Sequence, residues 1–434
     1  MRLQEKLAQL RRPALADPLV HGVDGELELR SQRIARLRAL IGEVVACDHE
    51  RESVVARPAR GPQPLPVGAP RETAFGSLHL IERWLEPSHS HGRVLVRDAL
   101  RVDAALLARL ALEPAFADVE LSRMLILDTE TTGLSGGTGT VPFLIGLGFF
   151  EDGALKLEQL FLSDLGGEVP LLHHLAERIA RASCLVSYNG KSFDWPLLRA
   201  RFILNRVPLP EPPPHLDLLH CARRVLRPRL KSVRLSEVER ALLHFHRQDD
   251  IDGAEIPGRY LRYLRGADPR SLLPVLTHNA HDVVALGALL WRLCAHFDAV
   301  QQSDDPLDHL QYARIALRAR DLARADEFAR AAQRGGETQE IGHKAYLVSA
   351  AVARLRADWD AVLHALQQAL ELAGDRVSAA QTHLALSRLL ERKFKDLPSA
   401  HRHARHTLLA EGPEAHGRRL GRLRRRLERS HDSC

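Results

Sequence analysis

The stretch from 121 to 161 constrains this chain more than any other part of it. LSRMLILD, VPFLIGLGFF and ALKLEQLFLS are three strand-like runs in quick succession, the last two separated only by the turn EDG. Short apolar runs with so little chain between them predict an antiparallel meander. The pattern then alternates. A helix is expected over EVPLLHHLAERIARA, a short strand at CLVSYN, a helix over DWPLLRARFILNR and a strand or strand-turn at HLDLLHCA. Helices fill the rest, ending in LLPVLTHNAHDVVALGALLWRLCAHF. Three antiparallel strands followed by helix-linked strands predict an α/β fold, a mixed β-sheet flanked by helices.

The first strand ends in an unusual way. LILDTETTG, residues 125–133, sets Asp128 and Glu130 one residue apart. Strand residues i and i+2 share a face, so both carboxylates point the same way. Side by side they repel, and neither is easily desolvated. A hard divalent cation, Mg2+ or Mn2+, relieves both problems. A strand end that simply reaches solvent is the plainer reading. Two later stretches carry further acids. In SYNGKSFDWPLL (187–198) Asp194 stands at a strand-to-helix corner, where by itself it reads as an N-cap with Pro196 in the first turn. In THNAHDVVALGALL (277–290) His278 and Asp282 are four apart and stack on one face of a helix.

Taken together, DxE on a strand, NxxxFD after a later strand and HxxxD on a final helix form an ordered constellation. It resembles the DEDD exonuclease branch of the ribonuclease H-like superfamily, and more closely the YprB-type family of ribonuclease H-like proteins. The quoted stretches that carry this are LDTETTGLSGGTGTVPFLIGLG, LVSYNGKSFDWPLL and HNAHDVVAL, so the resemblance covers 121–298 best. It implies a ribonuclease H-like sheet, with Asp128, Glu130, Asp194 and Asp282 holding two Mg2+ or Mn2+ ions roughly 3.5–4 Å apart astride a scissile phosphate. The implied activity is hydrolysis of phosphodiester bonds of DNA or RNA, on a single strand from the 3′ end. Better-studied groups of that branch place a His five residues, or a Tyr four residues, ahead of the last acid. Here Thr277 and His278 hold those positions. His278 is then a candidate to orient or deprotonate the attacking water, or else a helix-face histidine bonded to backbone. By the same resemblance Thr129, Asn189 and Lys191 are candidate substrate contacts, and Asp217 in HLDLLH is a possible supporting acid.

Other features carry less. GLSGGTGT (133–140) lacks the Lys of a phosphate loop and precedes no helix, so its glycines read as turn chemistry. Gly146 and Gly148 in LIGLG admit either a substrate backbone or ordinary packing. His79, His89 and His91 have no cysteine partners, which favours a surface hairpin over a zinc site. The domain reading is a helical arm and Pro/Gly-rich linker over 1–73, a hairpin and helix over 74–120, the α/β domain over 121–300, and an all-α helical-hairpin domain over 305–430. In that last region Leu322, Trp359 and Phe394 align at spacings of 37 and 35 residues, near the period of tetratricopeptide-like hairpins. Such hairpins offer a surface for a protein partner.

The formal charge of +6 and pI near 9.2 permit a nucleic-acid partner without demanding one. Seven arginines between 418 and 429 read first as a solvated helix end and second as a nucleic-acid contact. Five scattered cysteines without a CxxC pair fit free thiols in a reducing compartment. No apolar run suits a signal peptide or a membrane helix, so the expected location is the cytoplasm. A second reading of the whole is a non-catalytic adaptor whose helical repeats bind a partner and whose acids are vestigial.

Overall fold

The computed structural model describes residues 62–133, 139–303, 305–335 and 338–431. The chain divides into two compact units, Met1–Ala59 and Arg60–Cys434. The first lies outside the described residues, and with it the expected helical arm, most of the linker and Cys47; Cys434 and the glycine-rich turn at 134–138 lie outside them too.

The second unit is built on a seven-stranded sheet. Its strands are β1 (Ala69–Thr73), β2 (Gly76–Leu85), β5 (Met124–Thr131), β6 (Pro142–Glu151), β7 (Ala154–Phe161), β8 (Cys184–Ser187) and β9 (His215–Asp217). They run in the order β1-β2-β7-β6-β5-β8-β9. Pairing is antiparallel from β1 to β5 and parallel for β5-β8 and β8-β9. The meander expected over 121–161 is therefore β5-β6-β7, and the mixed sheet is as expected. The segment from 74 differs from the reading of a separate hairpin: β2 pairs with β7 and extends the main sheet. The short hairpin there is instead β3 (Ser90–His91) with β4 (Val94–Leu95).

The accompanying helices are α1 (Ala104–Ala111), α2 (Glu168–Arg181), α3 (Asp194–Leu204), α4 (Leu218–Leu226), α5 (Leu235–Val238), α6 (Ile256–Tyr263) and α7 (Leu273–Asp298). They cover both faces, which is why MLIL in β5 is continuously apolar rather than alternating. Met124 and Ile126 enter one core with α1, α4 and α7. Leu125 and Leu127 enter the other with α2, α3 and α6. By this parity Asp128 and Glu130 fall on the α7 side of the sheet end, and Thr129 on the α3 side.

Among the described residues, no strand follows α7. The helices pair as α8 (Pro306–Arg318) with α9 (Leu322–Gly335), α10 (Gln339–Leu355) with α11 (Trp359–Glu371), and α12 (Arg376–Leu389) with α13 (Leu397–Ala404), followed by α14 (Leu408–His431). Aspartates cap several of them: Asp305, Asp358, Asp375 and Asp396 each accept a backbone N–H in the following turn. The second helix of each pair starts at Leu322, Trp359 and Leu397, so the third anchor is Leu397. Phe394, aligned from sequence, ends a π-turn before it. The first pair shares the core of the sheet through Tyr312, Ala325 and Phe328. Arg229 clamps Asp308 at 2.8 and 2.9 Å, so the change of pattern near 305 is no loose linker. The arginine-rich tail folds back: Leu423 is fully buried, Arg422 and Arg426 pair with Glu391, and Arg419 pairs with Glu411. No helix among the described residues is long and apolar enough to cross a membrane. Cys184, Cys221 and Cys294 are free and buried, and burial pushes the thiols of Cys184 and Cys221 up to about 11.

Candidate active site

At the end of β5, Asp128 lies opposite Gly146 of β6, and Glu130 lies opposite Leu144 just before the register slips. A Cβ at position 146 would come within 2.4 Å of Asn279 Oδ1 and 2.8 Å of Val283. One at 148 would come within 2.6 Å of Val283. The glycines of LIGLG therefore admit α7, and the reading that they make room for a substrate backbone is not what the fold uses them for. The closeness lets Asn279 Nδ2 donate to Asp128 Oδ2 at 2.8 Å. Asn279 Oδ1 in turn accepts from Gln159 Nε2 at 2.9 Å, so the amide orientation is fixed by β7.

Asp194 is the first residue of α3, but it does not cap the helix: Phe193 holds the N-cap position without a side-chain bond. Its carboxylate instead accepts from the Thr129 hydroxyl across the strand end. Thr129, a candidate substrate contact in the sequence, is buried and committed to Asp194. The turn before α3 is held by Asp217, which accepts the backbone N–H of Asn189 at 2.8 Å, of Lys191 at 3.2 Å and of Leu219 at 3.0 Å. Asn189 takes the left-handed conformation there, φ 67°. Asp217 is thus the brace of the turn that presents Asp194. Lys191 reaches Glu113 Oε1 at 2.8 Å.

On α7, His278 and Asp282 occupy successive turns of one face, as their spacing implies. His278 Nδ1 donates to Asp250 Oδ1 at 2.7 Å. Its Nε2 lies 3.8 Å from Asp282 Oδ2 and 4.0 Å from Glu130 Oε1. His278 therefore faces the acids rather than the backbone. His281 turns away, its ring 5.7 Å from that of Phe245. Asp282 Oδ1 forms an ion pair with Arg247 Nη2 at 2.5 Å. Arg247 also meets Asp250 at 3.2 Å and Glu239 at 2.7 Å, and the buried Glu239 receives His91 Nε2 at 2.8 Å. His91, assigned from sequence to a surface hairpin, is 2% exposed and belongs to this ionic chain.

The electrostatics follow from crowding. Burial, then the charges of Asp282 and Asp194, hold the Asp128 carboxyl well above the usual range. Burial, then Asp128, Asp282 and Asp194, do the same to Glu130. Burial pushes Asp194 up to about 6 despite the Thr129 hydroxyl, and burial raises Asp282 despite Arg247. Four carboxylates thus face one guanidinium and one imidazole. Among the described residues no three His, Cys, Asp or Glu groups stand at metal-ligand spacing. The carboxylates are turned instead toward Asn279, Thr129 and Arg247. The donor set nevertheless fits hard divalent cations: all are carboxylate oxygens, they outnumber the one guanidinium beside them, and Glu130 and Asp282 remain 12% and 16% accessible.

Asn279, Arg247, Asp250 and Glu239 escaped the sequence reading. Asn279 lies inside the quoted THNAHD and on the side of α7 next to the sheet; the glycine facing it was the available signal. Arg247, Asp250 and Glu239 lie in the stretch between α5 and α6, where no periodicity marks them.

A family model described as RNase_H superfamily matches residues 125–294. That span contains all four acids, His278, Arg247 and Asp250. Over 190 residues, 43% of this chain and 45% of the relative, the sequence is 35% identical to the protein named "Uncharacterized protein YprB" of Bacillus subtilis (strain 168). The match thus spans just under half of that relative's length. The chain carries an RNase H superfamily domain over residues 125–294.

Proposed function

We propose that this protein is a divalent-metal-dependent nuclease, an exonuclease that hydrolyses phosphodiester bonds of single-stranded DNA or RNA from the 3′ end. The observation that carries this is the convergence of Asp128, Glu130, Asp194 and Asp282, contributed by β5, α3 and α7, with His278 facing them. A purely structural role would not hold four carboxylates together with so little compensating charge, since each raises the cost of ionising the next.

In this reading the four acids would hold Mg2+ or Mn2+. The bound ions supply Lewis-acid activation of water and neutralise charge on the phosphate and its leaving oxygen. The protein's own residues do the rest. Asn279 fixes the rotamer of Asp128 and Thr129 that of Asp194. Asp250 accepts the Nδ1–H of His278 in a hydrogen bond, which turns Nε2 toward the acids. His278 Nε2 is then placed to take the proton of an attacking water held among the carboxylates. Arg247 neutralises part of the cluster and anchors Asp282 to Glu239.

The test is incubation of DNA and RNA oligonucleotides, labelled at either end, with the purified protein and Mg2+ or Mn2+. Stepwise shortening from the 3′ end that disappears in Asp128→Ala is the expected result. Equal activity of Asp128→Ala overturns the proposal. No hydrolysis, together with no carboxylate-dependent binding in a calorimetric Mn2+ titration, favours the adaptor reading instead.

A further inference from the structure

A second charged cluster, of opposite sign, gathers where the loop that carries Arg247 and Asp250 begins. The β3-β4 hairpin docks there: Arg93 N–H donates to Leu243 O at 2.9 Å. Gly92 lies so close that a Cβ on it would stand 2.0 Å from that carbonyl, and its φ is +61°. The His91 ring stacks on Phe245 at 3.8 Å. These contacts fix Arg93 beside His244, which also neighbours His246. The third wall is α7, which packs against both hairpin strands and the π-turn Glu239–Leu243. Arg292 on α7 comes eleven residues after His281, close to three helical turns, so it projects from the His281 face toward the hairpin.

None of the side chains of Arg93, His244, His246 and Arg292 has a carboxylate or hydrogen-bond partner among the described residues. Arg292 Nε is buried and donates to nothing. Some other part-buried arginines do have acids, Arg229 with Asp308 and Arg178 with Glu158, whereas Arg224 and Arg314 meet only a carbonyl or an amide. Here burial, then Arg93, depress the Arg292 guanidinium, and burial, then Arg93, Arg292 and His246, depress His244. The Arg93 and Arg292 guanidiniums thus repel each other without a counter-charge, and an anion between them would relieve that repulsion.

We infer that Arg93, His244, His246 and Arg292 form a phosphate-binding subsite for the backbone of a single-stranded nucleic acid whose scissile phosphate lies in the acid cluster. The placement suits that occupant. His246 is the chain neighbour of Arg247, which touches Asp282, and Arg292 lies roughly 15 Å along α7 from Asp282 at 1.5 Å per residue. Acids at the cutting point and cations a few nucleotides away divide the work: the cluster takes the reacting phosphate, and the patch holds the strand by charge without reading its sequence. The inference rests on the nuclease reading for the direction of the strand, whereas the binding itself needs no metal.

The experiment measures fluorescence anisotropy of labelled oligothymidylate and oligouridylate of roughly 12 nucleotides, a length single-strand sites commonly cover. It uses the full chain in EDTA over a range of salt. Arg93→Gln and Arg292→Gln are each expected to weaken binding by roughly tenfold and to make the plot of log affinity against log salt shallower by about 0.7. Arg93→Glu should weaken it further, and Arg71→Gln on β1 should change little. Unchanged affinity and slope in the Arg93 and Arg292 variants overturn the subsite. Equally tight, equally Arg93-dependent binding of polyglutamate overturns its assignment to nucleic acid. Circular dichroism checks the fold; should Arg292→Gln not fold, the exposed Arg93 variants decide alone. Parallel incubation of wild type with Mn2+ separates the two readings. Hydrolysis with Arg93-independent binding sinks only the subsite, and Arg93-dependent binding without hydrolysis sinks only the nuclease.

Discussion

Replacing Asp194 by Asn should stabilise the metal-free protein at neutral pH while abolishing hydrolysis. Asp194 is 5% exposed, and its carboxyl is pushed from 3.8 up to about 6 by burial. In the unfolded chain it ionises at its ordinary value. Well below 3.8 both states are protonated and the group costs nothing. As pH rises toward and through 6, the unfolded state ionises first and stability is lost. By pH 7 the difference of about two units corresponds to ~3 kcal/mol against the folded state. Asn keeps an oxygen that accepts from Thr129, so a net gain of about 2 kcal/mol is expected. The assay is urea unfolding followed by circular dichroism in EDTA from pH 4 to 7. The variant's advantage should grow from near zero to its full value across that range. With saturating Mn2+ the order should reverse, because wild type gains about 2.7 kcal/mol at a hundredfold excess over its dissociation constant and the variant gains little. A variant that is less stable than wild type by the same amount at every pH refutes the reasoning. It would mean that the carboxylate is favourably held rather than strained.

The remaining expectations concern residues around it. Asn279→Ala removes the donor to Asp128 and leaves Gln159 short of an acceptor; a loss of ~1–3 kcal/mol and a weaker Mn2+ affinity by calorimetry are expected. Gly146→Ala drives a methyl into Asn279 and Val283 and should lower stability by about 1–3 kcal/mol in the same urea assay, with a parallel fall in hydrolysis. Arg247→Met leaves the buried Asp282 without its cation and Glu239 with His91 alone, for which ~3–5 kcal/mol of destabilisation is expected in metal-free protein, partly recovered by Mn2+. His278→Ala should cut kcat by roughly 10²–10⁴ while leaving oligonucleotide affinity in EDTA near that of wild type. An undiminished kcat removes His278 from the chemistry.

Much of this was legible in the chain itself. The β5-β6-β7 meander is written in three apolar runs, the last two joined by the turn EDG, because strand propensity and turn chemistry are local. The face shared by Asp128 and Glu130, and that shared by His278 and Asp282, follow from the strand and helix periods alone. The acids' convergence was signalled only through a resemblance, since spacing says nothing about which strand end meets which helix. Residues whose task is to support others were not legible. Asp217 looked like a further acid for the cleft, and only the fold shows it bracing the turn before α3. Thr129 and Lys191 looked available to substrate and are engaged with Asp194 and Glu113.

The sequence by itself determined the β5-β6-β7 meander, the run of helices after 305, and the faces shared by Asp128 with Glu130 and by His278 with Asp282. Those are properties of neighbours along the chain, fixed by backbone period and local hydrogen bonding. Only the tertiary structure decided that β2 joins the main sheet, that His91 is buried against Glu239, and that Arg247 crosses 35 residues of chain to reach Asp282. Such pairings depend on which surfaces pack together and on charges that must be matched once water is excluded. No local pattern records them.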